Sequence, residues 1–521
     1  MALTKATYSM IDGASANILD FGVDPTGVAD STAAFQAALD SGAAAVYVPA
    51  GTYKITASLN MAANQTLYGE GRASVISFVS NSLTDNRRIK THNNTVVRDL
   101  AVTETGVTGR TGYYGLITSE GRSDVIVTNV YVYGSSGIGI MNVNSTNVMV
   151  DGCFVSNTQA DGIHSQRGSS YITVRNCIIT NPGDDGVAFV SHDYTLLGNV
   201  HHCIAEGNIV NGTLVTGSGV ASVGAMHVTI ANNIIADTQL VGIRITGASF
   251  VGEGDTVGGH VVVVGNQINN TGLSGSGELG GIYVDSNRYV QIKDNLIFNT
   301  PSYGIACSTC WVDIDIHDNT ICNVAENGIY ATANAQTGYY LQLWTNPYLD
   351  DGTTAATVCG QTISIKDNSI RSAGGTGIFV TGTVTESVNV VDIRGNAMYR
   401  LHTDNTITPA YAIRADYCTN ISESDNVSLS PVNALTQAFT ATGSSGFDGV
   451  TNTNIPIQNG LGINGSMFVG TNRHYSNGAA PVSGTYALGD FVWNFNPASG
   501  VLGWVCTVAG TPGTWTAVNV N

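Results

Sequence analysis

Residues 153–187, CFVSNTQADGIHSQRGSSYITVRNCIITNPGDDGV, contain one pattern twice, 24 residues apart. The tripeptides CFV (153–155) and CII (177–179) each lead through a polar stretch into Asp-Gly followed by Ile or Val, at 161–163 and 185–187. Self-similarity at a fixed period of about 20–50 residues is typical of proteins built from stacked repeats. Because β-branched segments alternate here with turn residues, the stretch predicts a β-solenoid.

Both parts of the pattern continue along the chain. A glycine followed by Ile or Val recurs with spacings of 25, 24, 33, 23, 39, 23, 24 and 49 residues. A basal period of 23 to 25 residues with occasional insertions fits one coil of a three-stranded β-helix. We expect the Ile and Val residues to stack inside as ladders, and the Gly and Asn positions to allow left-handed backbone at the corners. The glycines, which we call the first marker, are Gly137, Gly162, Gly186, Gly219, Gly242, Gly281, Gly304, Gly328 and Gly377. The second marker is a Cys or Asn two residues before an aliphatic residue, and it begins at Cys153, Cys177, Asn233, Asn295, Asn319 and Asn368.

The composition agrees with many short strands and excludes several classes of partner. The 521 residues include 62 glycines, only 11% are charged, and the formal net charge is −18. A nucleic-acid partner is not expected, because phosphate binding needs clustered Lys and Arg. We also predict no membrane insertion, because no apolar run reaches the roughly 18 residues of a membrane span.

Metal and cofactor sites are not expected from the cysteines. Nine cysteines are too few for a disulfide scaffold in a chain of this length. Cys307 and Cys310 form a single CxxC without a second pair at zinc-finger spacing, so buried thiols are the simpler interpretation.

Residues 17–54 predict a turn, a short helix and two short strands. A turn at 24–27 precedes a short amphipathic helix carrying Phe35 and Leu39, with Asp30 or Ser31 as its cap, and short strands follow at 46–48 and after 51. This passage resembles the N-terminal motif of the pectate-lyase-like β-helix superfamily, as found in many phage tailspikes. The resemblance implies that the helix covers the open end of the solenoid, where strand edges would otherwise be exposed.

The predicted organisation is all-β. It comprises an N-terminal segment and helix cap (1–54), a right-handed parallel β-helix (55–425), a transition region (426–470) and a C-terminal β module (471–521). The last segment contains GDFVWN and GWVCTVAGTPGTW and resembles the small module that closes many phage tailspikes. That resemblance implies a role in trimer assembly or in contact with the host surface.

Insertions in a solenoid must emerge as loops at the edge of one coil, where they often frame a binding face. The largest are expected near 247–262, 271–280 and 334–358. The last contains Tyr339, Tyr340, Trp344 and Tyr348, which form either a sugar-stacking platform or a contact between protomers.

Three aspartates carry the most specific chemical signal. Asp161 and Asp185 each precede a repeat glycine, 24 residues apart. Since neighbouring coils lie about 4.8 Å apart, their carboxylates should stack, while Asp184 should point elsewhere around the corner. Like charges this close push pKa values apart, as a general acid and its partner require.

Four successive segments, QADGIH (159–164), GDDGV (183–187), GSGV (217–220) and GIRIT (242–246), resemble in order and spacing the motifs of polygalacturonases, which are inverting glycosidases. The resemblance implies that Asp184 is the general acid, and that Asp161 and Asp185 activate the water. Ser218 stands where the family has histidine, and Thr246 replaces its last lysine. Because that basic position is associated with the substrate carboxylate, a glycan other than galacturonan is expected.

Further substrate contacts are expected two residues beyond the repeat glycine. His164, Arg244 and Tyr283 share this position and should stack on one outer face, with Ser218, Tyr339 and Trp344 as additional candidates. The alternative for the aspartates is structural, since Asp and Asn at corners often accept backbone N–H hydrogen bonds.

The resemblances thus imply a homotrimeric phage tailspike, and we expect it to hydrolyse a bacterial surface polysaccharide, an O-antigen or a capsule, at the host surface. It would be attached to phage tail or baseplate proteins and would need no cofactor. Two alternatives remain open: a pectate-lyase-type lyase in which Asp184 and Asp185 hold calcium, and a non-enzymatic adhesin. A further alternative places the active site between protomers.

Overall fold

The computed structural model describes residues 13–80, 87–112, 114–191, 198–250, 254–256, 258–274, 280–333, 360, 362–383, 387–399, 412–429, 439–441, 447–451, 462–463, 467–469, 472–494 and 500–519. Among them, 42 strands pair into one continuous parallel system with three faces, which we call sheets 1, 2 and 3. Each strand pairs with the strand one coil before and one coil after it. The predicted all-β fold, a right-handed parallel β-helix, is confirmed.

Sheet 1 contains Leu59–Asn60, Ile89–Lys90, Gly115–Glu120, Ile138–Val143, Ile163–Gln166, Val187–Val190, Val220–Val223, Ile243–Thr246, Ile329–Thr332, Ile378–Thr381, Ile413–Asp416, Phe439–Ala441 and Gly462–Ile463. Sheet 2 contains Ala16–Asn17, Ala45–Val48, Thr66–Gly69, Thr146–Asp151, Ser170–Arg175, His201–Glu206, Met226–Ala231, Gly258–Val264, Thr362–Lys366, Val388–Arg394, Cys418–Ser424 and Phe447–Thr451. Sheet 3 contains Thr26–Asp30, Gly51–Ile55, Ser74–Val79, Phe154–Ser156, Ile178–Thr180, Ile209–Asn211, Ile234–Ala236, Gln267–Asn269, Leu296–Thr300, Thr320–Val324, Ser369–Ala373, Ala397–Tyr399 and Val427–Leu429.

Four long strands turn a corner and belong to two sheets. Thr95–Thr105 and Ser123–Tyr133 run through sheets 2 and 3, and Ile282–Lys293 and Ile305–His317 run through sheets 1 and 2. Outside the solenoid, Ala248–Phe250 and Gly254–Thr256 form an antiparallel hairpin. A separate five-stranded sheet contains Met467–Val469, Asn472–Asn477, Phe491–Asn494, Val501–Val508 and Thr514–Asn519. The domain boundaries drawn from the sequence stay a prediction.

The helix Thr32–Leu39 lies where the sequence places it, with Phe35 and Leu39 buried. Ser31 is the residue before its first turn, but the carboxylate of Asp30 accepts the N–H of Thr32 at 3.0 Å. Asp30 therefore supplies the capping interaction. Two short 3₁₀ helices, Ile18–Phe21 and Gly71–Ala73, complete the helical segments of the described chain.

Gln36 shows how the helix covers the first coil. Its side-chain nitrogen donates to the carbonyl of Asn60 at 3.0 Å, and its oxygen accepts the N–H of Asn60 at 2.9 Å. These are the two bonds that a strand preceding Leu59–Asn60 in sheet 1 would make. The side-chain amide thus satisfies the free edge of that strand, as capping requires.

The repeat glycines are required for close approach, and the expectation that they adopt left-handed backbone is wrong. None of the eight from Gly162 to Gly377 has a positive φ. Instead, a Cβ on Gly219 would lie 2.6 Å from the carbonyl oxygen of Gly242 and 2.3 Å from a methyl of Ile235. The first marker is also shifted, because Ile140 rather than Ile138 pairs with Ile163, so the repeat glycine of that coil is Gly139.

The asparagines of the second marker form a buried ladder rather than left-handed corners. In successive coils the side-chain oxygen of one ladder residue accepts the backbone N–H of the preceding one, at 2.9–3.0 Å. The left-handed backbone falls one residue earlier, at positions such as Asn232 and Asp294. The ladder comprises Asn208, Asn233, Asn266, Asn295, Asn319, Asn368, Asn396 and Asn426.

Insertions occur at the two edges of sheet 1. From Asp151 to Val427, two residues separate the strands of sheets 2 and 3 in every coil. By contrast, the hairpin follows the sheet 1 strand Ile243–Thr246, and residues 270–281 precede the sheet 1 strand beginning at Ile282. A further insertion after Val187–Val190 was not predicted, and residues 334–358 lie outside the described residues.

The asparagine ladder can be tested with Asn295→Ala. This substitution leaves the buried N–H of Asn266 without its acceptor, and it removes the donors to Val263 and Lys293. Each unsatisfied buried group costs about 1–3 kcal/mol, so the free energy of unfolding should fall by at least that amount. The measurement is the midpoint of urea unfolding followed by circular dichroism. Asn211→Ala, at an exposed position of sheet 3, is the control; equal midpoints for the two variants would contradict the role of the ladder.

Candidate active site

Asp161 and Asp185 lie one above the other where sheet 3 leads into sheet 1. The N–H of Asp185 donates to Oδ1 of Asp161 at 2.9 Å. In the next coil, the N–H of Ser218 donates to Oδ1 of Asp185 at 2.6 Å. Both aspartates are nearly buried, with 6% and 8% of their surface exposed. They therefore make the backbone hydrogen bonds expected of structural corner residues and also stack as their spacing predicts.

Asp184 joins this pair, contrary to the expectation that it points elsewhere. The N–H groups of Gly183 and Asp184 both approach the carbonyl oxygen of Ala160, at 3.0 and 3.3 Å. The backbone turns at this point, so neighbouring side chains do not alternate as they would in a strand. One carboxylate oxygen from each of Asp161, Asp184 and Asp185 lies within 4.8 Å of the other two.

The electrostatics of this cluster favour protonation. Burial raises the pKa of Asp185 well above its ordinary value, and the negative charges of Asp161 and Asp184 raise it further. Burial and the charge of Asp161 also raise the pKa of Asp184, against the opposing effect of Arg110. A proton therefore stays on the cluster at a pH where an exposed aspartate is ionised.

Arg110 is a site residue that sequence analysis missed. Its guanidinium lies 3.0 Å from Oδ2 of Asp184, in a loop that precedes the sheet 1 strand Gly115–Glu120. The loop is tied to the solenoid because the N–H of Thr111 donates to the carbonyl of Ser136 at 2.9 Å. The N–H of Ser136 in turn donates to the buried carboxylate of Glu104. Arg110 stands outside the repeat, so no periodic signal marks it.

His164 contacts the cluster directly. Its Nδ1 lies 2.7 Å from Oδ2 of Asp161, and its Nε2 lies 3.3 Å from the side-chain oxygen of Gln166. Both oxygens of Asp161 are therefore engaged, one by a backbone N–H and the other by an imidazole. This arrangement fixes the orientation of the carboxylate.

His164, Arg244 and Tyr283 occupy one column of sheet 1. The strand register connects them through Ala188 and Ala221. Arg244 is close enough for its charge to oppose the upward shift in the pKa of Asp185. Tyr283, only 9% exposed, packs in a cluster with Val241 and Ala306. Its ring can therefore shape the surface of sheet 1 but offers little area on which a sugar could stack.

Of the remaining predicted contacts, the structure describes only Ser218. Ser218 is fully buried, so its side chain is not exposed to a substrate. It supports the site through its backbone N–H, which donates to the carboxylate of Asp185. Gly217 before it is required, because a Cβ there would lie 1.8 Å from the carbonyl oxygen of Asp184. Tyr339 and Trp344 lie outside the described residues, as do Tyr340 and Tyr348.

The three carboxylates could hold a hard cation such as Ca²⁺, which takes six to eight oxygen ligands. However, Oδ1 of Asp161 and Oδ1 of Asp185 accept backbone N–H groups, and Arg110 approaches Asp184. The donor set is thus partly occupied by hydrogen bonds and positive charge. It suits proton transfer better than calcium coordination.

Cys307 of the CxxC is buried, and burial raises the pKa of its thiol to about 12. A protonated thiol is a poor metal ligand. The side chain of Cys310 lies outside the described residues. In the part of the chain that the structure describes, no helix is long and apolar enough to cross a membrane.

Comparison with known proteins shows similarity to a pectate-lyase-like family and to phage-related proteins. Residues 15–244 match the family described as rhamnogalacturonase A/epimerase, pectate lyase-like. The phage-related protein YobO of Bacillus subtilis (strain 168) is 24% identical over 238 residues, covering 42% of this chain and 27% of that protein. The pre-neck appendage protein of Bacillus phage phi29 is 25% identical over 229 residues, covering 42% and 26%.

The chain therefore spans about a quarter of the length of these two relatives. Among solved structures, the N-terminal fragment of gene product 12 of bacteriophage phi29 is similar to this chain. The match covers 88% of this chain and 74% of that fragment, with 15% identity and a TM-score of 0.63. That likeness establishes the shared fold. Taken together, these findings show that the chain is a parallel β-helix whose residues 15–244 are similar to the pectate-lyase-like family and which has phage-related relatives.

Proposed function

We propose that this protein hydrolyses glycosidic bonds of a bacterial surface polysaccharide as a component of a phage particle. The observation that carries the proposal is the convergence of Asp161, Asp184 and Asp185 within 4.8 Å at the edge of sheet 1, in an environment that retains a proton. Glycoside hydrolysis needs one protonated and one ionised carboxyl group beside the scissile bond.

Asp184 is the proposed general acid. Its side chain is 29% exposed, whereas Asp161 and Asp185 are nearly buried. It is thus the carboxyl group of the three best placed to reach a leaving oxygen on a bound glycan. The two buried carboxyl groups then act on a water molecule, and the one that is ionised accepts its proton, because they are better placed to orient water than to touch a sugar carbon.

The substrate class is inferred from several features. Insertions frame both edges of sheet 1, and the matched family is described by a polysaccharide-cleaving enzyme. Thr246, at the position of a basic residue in the polygalacturonase motif, supplies no charge for a uronate carboxylate. An O-antigen or capsule is therefore proposed over galacturonan.

The biological setting is also a proposal. The relatives are described as phage-related and as a pre-neck appendage. We accordingly propose that the chain acts at the host surface as part of a virion, attached to phage tail or baseplate proteins, and as the homotrimer that the tailspike resemblance implies.

Asp184→Asn tests the acid. Loss of a positioned general acid should lower the rate by about 10²–10⁴-fold. The assay follows reducing-end release and absorbance near 235 nm in parallel, over a panel of O-antigens and capsules. Asp124→Asn is the matched control, since Asp124 is exposed on sheet 2 with a left-handed backbone that Asn tolerates.

Other outcomes separate the alternatives. Absorbance growing with cleavage would indicate a lyase, and undiminished activity in Asp184→Asn would exclude this site. A glycan that the wild-type protein binds without cleaving would favour the adhesin. Cleavage that requires residues from two protomers, revealed by mixing inactive variants, would indicate an interface site.

The anomeric configuration of the first product tests the water-mediated mechanism. The oxygen separation alone resembles the retaining class, whose carboxyl groups lie about 5–5.5 Å apart, rather than the roughly 6.5–9.5 Å of inverting enzymes. Burial of Asp161 and Asp185 nevertheless argues against direct attack on the sugar, so we predict inversion. Proton NMR during early turnover measures it, and a retained configuration would assign one aspartate as a nucleophile.

The protonated cluster also predicts a pH-dependent cost in stability. The pKa of Asp185 is raised in the folded protein. The favourable contribution of Asp185 to the free energy of unfolding is therefore fully present below the unfolded pKa of about 3.9. This contribution is lost as the pH rises through the pKa of the folded protein. Asp185→Asn keeps an oxygen for the N–H of Ser218 and removes this loss. Its Tm should match that of the wild-type protein near about pH 4 and exceed it increasingly toward about pH 8; a difference that does not change with pH would contradict the raised pKa.

A further inference from the structure

A column of aromatic rings runs along the outside of sheet 2, away from the aspartates. Adjacent rings in this column stack with centroids 4.7–5.0 Å apart, which is the spacing of the coils. The three central rings are imidazoles, and all five residues are exposed. The column consists of Tyr171, His202, His227, His260 and Tyr289.

His201, beside this column, approaches His202 closely. The two Nδ1 atoms lie 2.7 Å apart, and the rings are nearly perpendicular at 83°. Consecutive residues of a regular strand point to opposite faces. Here His202 has a φ of +55°, and this local departure from extended backbone brings two neighbouring imidazoles to the same side.

The ring nitrogens are suitable ligands for a transition-metal ion. A neutral imidazole offers a nitrogen lone pair, and here two such nitrogens lie side by side.

We propose that His201 and His202 chelate a divalent transition-metal ion through their Nδ1 atoms. Metal–imidazole bonds are about 2.0–2.1 Å long, so one ion can reach both nitrogens at an angle of roughly 80–85° at the metal. That angle fits the near-right-angle geometry of Cu²⁺ or Ni²⁺ sites better than tetrahedral zinc. The proton between the two nitrogens moves through solvent to Nε2 of its own ring, so that both rings are neutral, carry their N–H on Nε2 and offer Nδ1 to the ion.

His227 supports the His202 ring from the next coil. Its ring stacks on that of His202 with the centroids 4.7 Å apart, which restrains the orientation of His202. At the far end of the column, the charge of Arg288 acts on His260 and disfavours a cation there. The ion is therefore assigned to the end of the column that contains His201 and His202.

The experiment is isothermal titration of the full chain with NiCl₂ and with CuCl₂ at neutral pH. His201→Asn and His202→Asn should each lose one equivalent of binding or weaken it by at least about tenfold, since even outer-shell changes weaken metal sites by about 10–100-fold. Asn also tolerates the left-handed backbone at position 202. His474→Asn, in the separate C-terminal sheet, is the control and should bind as the wild-type protein does.

Two further readouts keep the test independent of folding. Cu²⁺ electron paramagnetic resonance of the wild-type protein should show coupling to imidazole nitrogen, and this signal should disappear as acidification protonates the rings. Unchanged stoichiometry and affinity in both His201→Asn and His202→Asn would overturn the proposal and leave a hydrogen-bonded pair.

Discussion

The close approach of successive coils at the glycine that opens sheet 1 is the constraint on which this protein depends. At Gly162 a Cβ would lie 2.7 Å from the carbonyl oxygen of Gly186, and the same contact recurs at Gly186 and Gly219 in the following coils. Only glycine allows the backbones to pass at this distance. Since the contact repeats from coil to coil, it fixes the register of sheet 1 and of every side chain beside the glycine.

The candidate site follows directly from that register. The residue before the glycine donates and accepts along the axis of the solenoid, and in most coils it is uncharged. In two neighbouring coils it is Asp161 and Asp185, so two carboxylates are held at the distance of one coil by backbone that cannot separate. The N–H groups of Asp185 and Ser218 compensate part of the resulting repulsion between the carboxylates. The repulsion that remains, together with burial, raises the pKa of Asp185. Here the stability of the fold and the proposed reactivity of the cluster oppose each other.

Periodic features could be predicted from the sequence because the solenoid converts spacing into stacking. The ladder from Ile163 to Ile378, the capping helix and the pairing of Asp161 with Asp185 all follow from that rule. Local backbone departures could not be predicted in this way. The backbone turn at Gly183 directs the side chain of Asp184 toward Asp161 and Asp185. Gly137 fits the sequence pattern but lies two residues before Gly139, the repeat glycine of its coil. Arg110 reaches the site from a loop that carries no repeat, so only the folded chain brings it to Asp184.

The side-chain amide of Gln36 covers a strand edge that could otherwise pair with another molecule. It donates one hydrogen bond to Asn60 and accepts one from it, as a preceding strand of sheet 1 would, and no such strand lies among the described residues. An uncovered strand edge of a parallel stack is a template for another molecule, and end-to-end addition would extend the stack without limit. A single side chain near the start of the sequence thus helps to separate a particle of defined length from a fibre.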